Sequence, residues 1–279
     1  MVRACIPTLA VCLVSAVVLF TSDVAAQTFE FKAPTTTFAV DPNDPGGTVV
    51  LGFTIEQTSG SPAGTQGFSM GVAHDPTVLN TVAVDYGEGV LEDPWGQPDF
   101  FSRAEYSDGW TCGVVYSAYG GWLIEFSEPR VAIDVTYEIV SDVPVESPIT
   151  TDFAWVDTLG MPPVSNVVVV GGASIYADSV DGEFTCVPVS FIRGDMNSDG
   201  GINIADIFTA EDYLFLDGDT PSCLAALDAN GDGAIDIGDI IYELSYLFLG
   251  GEPMPAPFPA CGPLSVGSEV SCEESQCVP

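Results

Sequence analysis

Two stretches of this sequence place oxygen-bearing side chains at the same spacing. Asp195 to Asp206 reads D-M-N-S-D-G-G-I-N-I-A-D, and Asp228 to Asp239, 33 residues later, reads D-A-N-G-D-G-A-I-D-I-G-D. Each offers oxygens at positions 1, 3, 5, 9 and 12 and a Gly at position 6, the pattern of a twelve-residue loop that wraps a hard divalent cation such as calcium. In the first loop the ligand set is Asp195, Asn197, Asp199, the Gly201 carbonyl, Asn203 through a water, and Asp206. In the second it is Asp228, Asn230, Asp232, the Ala234 carbonyl, Asp236 and Asp239. Asx-rich turns use the same residue types, but two copies in register, each leading into a similar helical pattern, favour cation binding with two calcium ions. The first loop carries three carboxylates and the second four, so charge alone predicts tighter binding at the second.

The elements that must hold these loops follow them directly. In the second helical stretch Ile237, Ile240, Ile241, Leu244, Leu247 and Phe248 recur at helical spacing and predict one continuous apolar face. The first copy keeps that pattern except at Glu211, and Tyr-Leu-Phe-Leu recurs at Tyr213 and Tyr246. Packing the two faces together makes a small core, with Ile202 and Ile235 in place for a strand-like contact between the loops. A core of this size is marginal alone, so cation binding must supply much of the stability. Val187 to Phe191, ahead of the first loop, does not read as an entering helix.

Loop then helix, twice, without the first entering helix of an EF-hand, resembles the dockerin module of secreted, cellulosome-type proteins. Position 12 departs from the standard EF-hand, being Asp206 and Asp239 rather than Glu. The resemblance implies calcium-dependent docking to a cohesin-type domain through loop positions 10 and 11 and the exposed helix face. Here those positions are Ile204-Ala205 and Ile237-Gly238, unlike the Ser-Thr type pair of many cellulosomal dockerins. The partner is therefore open among a cohesin-like domain of another chain, that of a neighbouring copy, and the adjacent domain of the same chain. The near-repeat implies two similar faces related by a pseudo-twofold.

Ahead of the module, residues 27–184 read as mainly β, a sandwich or jelly roll. Val49, Leu51, Phe53 and Ile55 alternate with more polar neighbours, as do Val131, Ile133, Val135, Tyr137 and Ile139, the period-two pattern of half-buried strands. Further strands are predicted over 29–40, 67–73, 79–86, 110–117, 149–156 and 167–176, giving about nine in all. The run from Gly67 to Val84, with Asp75-Pro76 followed by Val78-Leu79, resembles the early strands of a cohesin-type domain. Other carbohydrate-binding or adhesive sandwiches, or an unrelated fold, carry similar turns. Residues 185–262 are assigned to the calcium module, with 177–192 as the link, and 263–279 to a Cys-containing tail.

The remaining signals concern address and chemistry. Residues 1–26 carry Arg3, an apolar run and Val24-Ala25-Ala26, the pattern of a secretory signal peptide too short to favour a permanent span. Cys112, Cys186, Cys223, Cys261, Cys272 and Cys277 follow it, an even set that reads as extracellular disulfides. Six cysteines allow 15 connectivities that the sequence does not choose between; two candidate pairs are Cys223 with Cys261, which clamps the second repeat, and Cys272 with Cys277, which closes a loop in the tail. Five Lys plus Arg against 40 Asp plus Glu give a net charge of -35, which argues against nucleic acid or anionic membrane as partner. The one histidine, His74, lies beside the Asp75-Pro76 turn and reads as a turn or surface residue rather than a base. With a single histidine, and no cysteine that has a catalytic histidine beyond it, the chain is expected to be non-catalytic. Trp95, Trp110, Tyr116, Tyr119 and Trp122 cluster in sequence. They leave polysaccharide as a second possible partner, with Trp95 the candidate exposed ring and Trp110, Tyr116 and Trp122 better read as core or edge residues.

Overall fold

The structure is a computed structural model of the chain that describes residues 27–43, 46–91, 97–116, 123–140, 148–265, 268–273 and 277. The signal segment and Trp95, Tyr119 and Trp122 lie outside the described residues.

Alternation of apolar and polar residues builds two facing sheets. One has the order β12-β1-β3-β8-β5, from β1 (Thr28–Lys32), β3 (Thr48–Ser59), β5 (Leu79–Tyr86), β8 (Arg130–Ile139) and β12 (Asp178–Val180). The other contains β2 (Thr35–Val40), β4 (Thr65–Ala73), β6 (Phe100–Tyr106), β7 (Gly109–Val115), β9 (Ile149–Trp155), β10 (Val167–Val170), β11 (Ala173–Tyr176) and β13 (Gly182–Pro188). Within it β4 is the hub: β7 lies along one side, while β10 pairs with its first half and β9 with Val72 and Ala73. The sandwich forms as the period-two pattern predicts.

Its interior is aromatic. Phe53 meets Trp110 edge-on at 4.9 Å between centroids and Phe153 at 5.5 Å, and the buried Trp110 Nε1 donates to Tyr137 Oη at 2.7 Å. That bond satisfies the two polar atoms that large buried aromatics carry. Trp110 and Tyr116 are both buried, as core residues should be.

Three local expectations change. The run 29–40 is two strands in different sheets, because Pro34 has no N–H to continue a ladder: Ala33 donates to Val180 O and Glu183 donates to Pro34 O. Residues 177–192 carry β12, β13 and β14 (Ser190–Phe191) rather than a plain link. Phe184 and Cys186 of β13 enter the core and the strand runs parallel to β2. His74 is buried, not on the surface; its Nε2 lies 2.8 Å from Thr81 Oγ1 and its ring stands edge-on to Tyr137.

The C-terminal part has α2 (Ile204–Phe215), α3 (Leu224–Leu227) and α4 (Ile237–Leu249), following a four-residue α1 (Glu88–Leu91) inside the β region. β14 precedes the first loop where no entering helix was expected, and pairs with β15 (Gly262–Pro263). α2 and α4 close on a small core of Met196, Ile207, Ala210, Leu227, Ala229, Ile240 and Met254. Residues 253–258 lie along it, Tyr246 and Phe258 rings meeting at 5.3 Å.

Neither of the two candidate cysteine pairs forms. Cys223 bonds Cys272, and Cys261 bonds Cys277. A β-bridge joins Cys223 to Cys272 and Cys272 N donates to Asp41 Oδ2, so the tail folds back between α3 and the β region and Cys261 is left for Cys277. Cys112 and Cys186 are free thiols buried in the sandwich core. Among the described residues no helix is long and apolar enough to cross a membrane.

Candidate metal centre

The two loops fold alike, bond for bond. Asp195 Oδ1 accepts from Asp199 N at 2.9 Å and Oδ2 from Gly200 N at 3.0 Å; Asp228 accepts from Asp232 N at 3.0 Å and Gly233 N at 3.3 Å. Asn197 and Asn230 each donate to the carboxylate two residues on, at 3.0 and 2.9 Å. Gly200 and Gly233, at the sixth position, have φ of +83° and +84°, a left-handed backbone that Gly adopts without a Cβ clash.

Positions 9 and 12 of each loop also start the helices. Asp206 Oδ2 accepts from Asn203 N at 2.8 Å while Asn203 Oδ1 accepts from Ala205 N at 3.0 Å. Asp239 and Asp236 repeat this with bonds of 2.9 and 2.6 Å. These are reciprocal N-terminal caps, so the residues at loop positions 9 and 12 hold loop and helix together. Asp206 Oδ1 and Asp239 Oδ1 reach back to the N–H groups of Asn197 and Asn230, both at 3.2 Å.

The twelve sequence-derived positions therefore come together as two loops, with Asp195, Asp206, Asp228 and Asp239 buried. Burial pushes the carboxyls of Asp195, Asp206 and Asp239 above the ordinary range; like-charged neighbours add to this, Asp199 at the first, Asp195 and Asp199 at the second, Asp228 and Asp232 at the third. Buried carboxylates set against each other call for a cation. Among the described residues no three Asp, Glu, His or Cys groups are already gathered into a metal cage; the loop oxygens face backbone N–H groups instead. The donor set is all oxygen, as calcium requires.

Two charged residues that the loop pattern does not contain touch the site. Arg193 Nη1 lies 3.0 Å from Asp228 Oδ2 and also donates to Asp228 O. Glu243, on α4, is fully buried and neither carboxylate oxygen has a hydrogen-bond partner. Burial, with Asp206 and Asp195 adding repulsion, pushes its carboxyl up to about 8. Sequence signals existed for both. Arg193 is one of five cations in the chain, set just before the first loop, and Glu243 stands where the first repeat has Ala210.

The helix faces are divided, not single. Ile240 is buried and Leu244 and Leu247 pack on the small core, whereas Ile237, Ile241 and Phe248 face solvent. Repeat-equivalent residues share this exposure: Phe208 and Ile241 are 60% and 59% exposed, and Phe215 and Phe248 56% and 64%. Ile204 and Leu216 match Ile237 and Leu249 in the same way. Ile202 and Ile235 pack on the core but form no β-bridge among the described residues.

Residues 193–241 match the family model described as the dockerin type I domain. This is the stretch that holds both loops and the first turn of α4. A search of the curated proteins finds no match. Among solved structures the chain is similar to the seventh ScaB type I cohesin from Pseudobacteroides cellulosolvens, with 16% identity, a TM-score of 0.43, and coverage of 57% of this chain and 92% of that one. It is similar too to a type I cohesin–dockerin complex from Clostridium thermocellum, with 15% identity, a TM-score of 0.43, and coverage of 57% and 94%. A third is a type III cohesin module from the ScaE cell-surface anchoring scaffoldin of Ruminococcus flavefaciens, with 12% identity, a TM-score of 0.39, and coverage of 60% and 93%.

Proposed function

We propose that this is a secreted, non-catalytic assembly protein whose C-terminal module binds two calcium ions and, so ordered, docks a cohesin-type domain of another protein or of a second copy of this chain. The ions would be held by Asp195, Asn197, Asp199, Gly201, Asn203 and Asp206, and by Asp228, Asn230, Asp232, Ala234, Asp236 and Asp239. Calcium supplies charge neutralisation and a fixed loop; the chain's own residues supply the caps that convert loop order into helix order.

One observation carries the docking reading. The exposed apolar residues follow the 33-residue repeat of the ligand loops, so each loop presents Ile, Phe or Ile, Phe and Leu on the outer side of the helix it starts. Paired apolar faces on a small acidic module are a surface for a partner. The dockerin match of residues 193–241 supports the same reading, and the β-sandwich with its Asp75-Pro76 turn after β4 supports a cohesin-like receptor in the same chain. Disulfide bonding in the C-terminal part accords with an extracellular site.

The test is calcium titration of the mature chain by calorimetry, with light scattering on the same samples. Two binding events and a calcium-dependent dimer or larger species are expected if one copy's module docks the sandwich of the next. A persistent monomer with two bound ions moves the partner to a foreign cohesin-type domain, and absence of calcium uptake sinks the proposal. Replacing Phe208 and Ile241 together by Ser should abolish association while leaving both binding events in place.

A further inference from the structure

The charges that break the repeat do so in opposite senses at the two loops. Arg193 and Ala226 are repeat-equivalent, as are Ala210 and Glu243. At the second loop the odd residue is a cation on Asp228, which is already one of its ligands. At the first it is an anion: Oε2 of Glu243 lies 3.6 Å from where a Cβ on Gly194 would sit, immediately before Asp195. The charges that bear on it are Asp206 and Asp195 of the first loop, not those of the loop that begins its own helix.

Glu243 is 0% exposed and both its oxygens lack a partner. A carboxylate in that state costs several kcal/mol unless a cation or donors meet it. The Glu243 Oε2 lies beside Gly194, the residue that adjoins the buried Asp195.

We infer that Glu243 is a carboxylate of the first calcium site contributed by the second repeat, and that with Arg193 it makes the first loop the tighter of the two. This rests on the calcium reading above and reverses the order that loop composition alone predicts. Counting these two residues, the first loop has four acids, and the second has four acids offset by one base. Calcium at the first loop discharges Glu243 as well as its own aspartates, so occupancy there is coupled to the docking of α4. Calcium at the second must share Asp228 with a guanidinium.

The experiment uses the mature chain and calcium alone, titrated by calorimetry. Asp199→Ala and Asp232→Ala assign each binding event to its loop with Glu243 and Arg193 intact. In the wild type the tighter event should vanish in Asp199→Ala and persist in Asp232→Ala. Glu243→Gln, close in shape, should weaken the tighter event roughly 10–100-fold, the usual effect of losing a supporting group at a metal site, and leave the weaker one unchanged. Arg193→Gln should strengthen the weaker event and leave the tighter one alone. The inference is overturned if the tighter event belongs to the second loop, or if Glu243→Gln leaves both affinities as they were or raises them. A wild-type chain that takes up no calcium overturns the calcium reading itself and this inference with it.

Discussion

The sandwich and the C-terminal module bury opposite kinds of chemistry. Between the sheets lie Phe29, Phe31, Phe53, Trp110, Tyr137, Phe153 and Phe184, all fully buried, with the Trp110–Tyr137 bond satisfying their polar atoms. Between α2 and α4 lie a few aliphatic residues and, beside them, Asp195, Asp206, Asp228, Asp239 and Glu243, also buried. Burial of apolar area stabilises the first at about 25 cal/mol per Å². In the second, every one of these carboxylates except Asp228, which Arg193 meets, works against folding until a cation meets it. One region is stable by its composition, and the other has its stability set by its surroundings.

Chelation is the strongest way to separate them. With calcium removed, the segment 190–262 should lose helical circular dichroism and become protease-sensitive while 28–184 keeps its β signal. Equal resistance of both regions in chelator would erase the contrast. The converse is Phe53→Ala, which should cost the sandwich about 3–5 kcal/mol, read as a shift in its denaturant midpoint, with both calcium affinities unchanged.

The smallest effect comes from His74. Desolvation lowers its pKa below 6.5, outweighing the nearby Asp75 and Asp108. The unfolded chain takes up the proton first, so this contribution is present above about pH 6.5. It is lost as pH falls through the lower folded-state value. The thermal midpoint of the sandwich should therefore decline between pH 7 and 5.5, and His74→Gln should flatten that slope. A steeper slope in the variant would place the titrating group elsewhere.

The two acidic loops, as loops, and β3, β5 and β8 were legible because their signals are local: fixed spacing in one case and strict alternation in the other. The strand β13 was not, since Asp181-Gly182 and Pro188 flank it like breakers and only the distant partners β2 and β9 reveal it. Cysteine pairing was hidden for a similar reason, being set by where the tail returns and not by sequence separation. Glu243 and Arg193 lie outside the twelve-residue pattern, and their role depends on how one repeat packs against the other. The division of the α4 face into Ile240 inside and Ile241 outside needed the position of α2.

Chain order also imposes a timetable. Val189 to Phe191, just ahead of the first loop, is held by Gly262 to Leu264, just behind the second repeat. Every strand of the two sheets has emerged by Pro188, so during vectorial synthesis or export the sandwich can close first, as domains generally do. The first loop must wait for Glu243, and the base of the module for residues some seventy positions later than Val189. The module thus cannot present its outer face until residues 262–264 are through, by which time the sandwich can already exist.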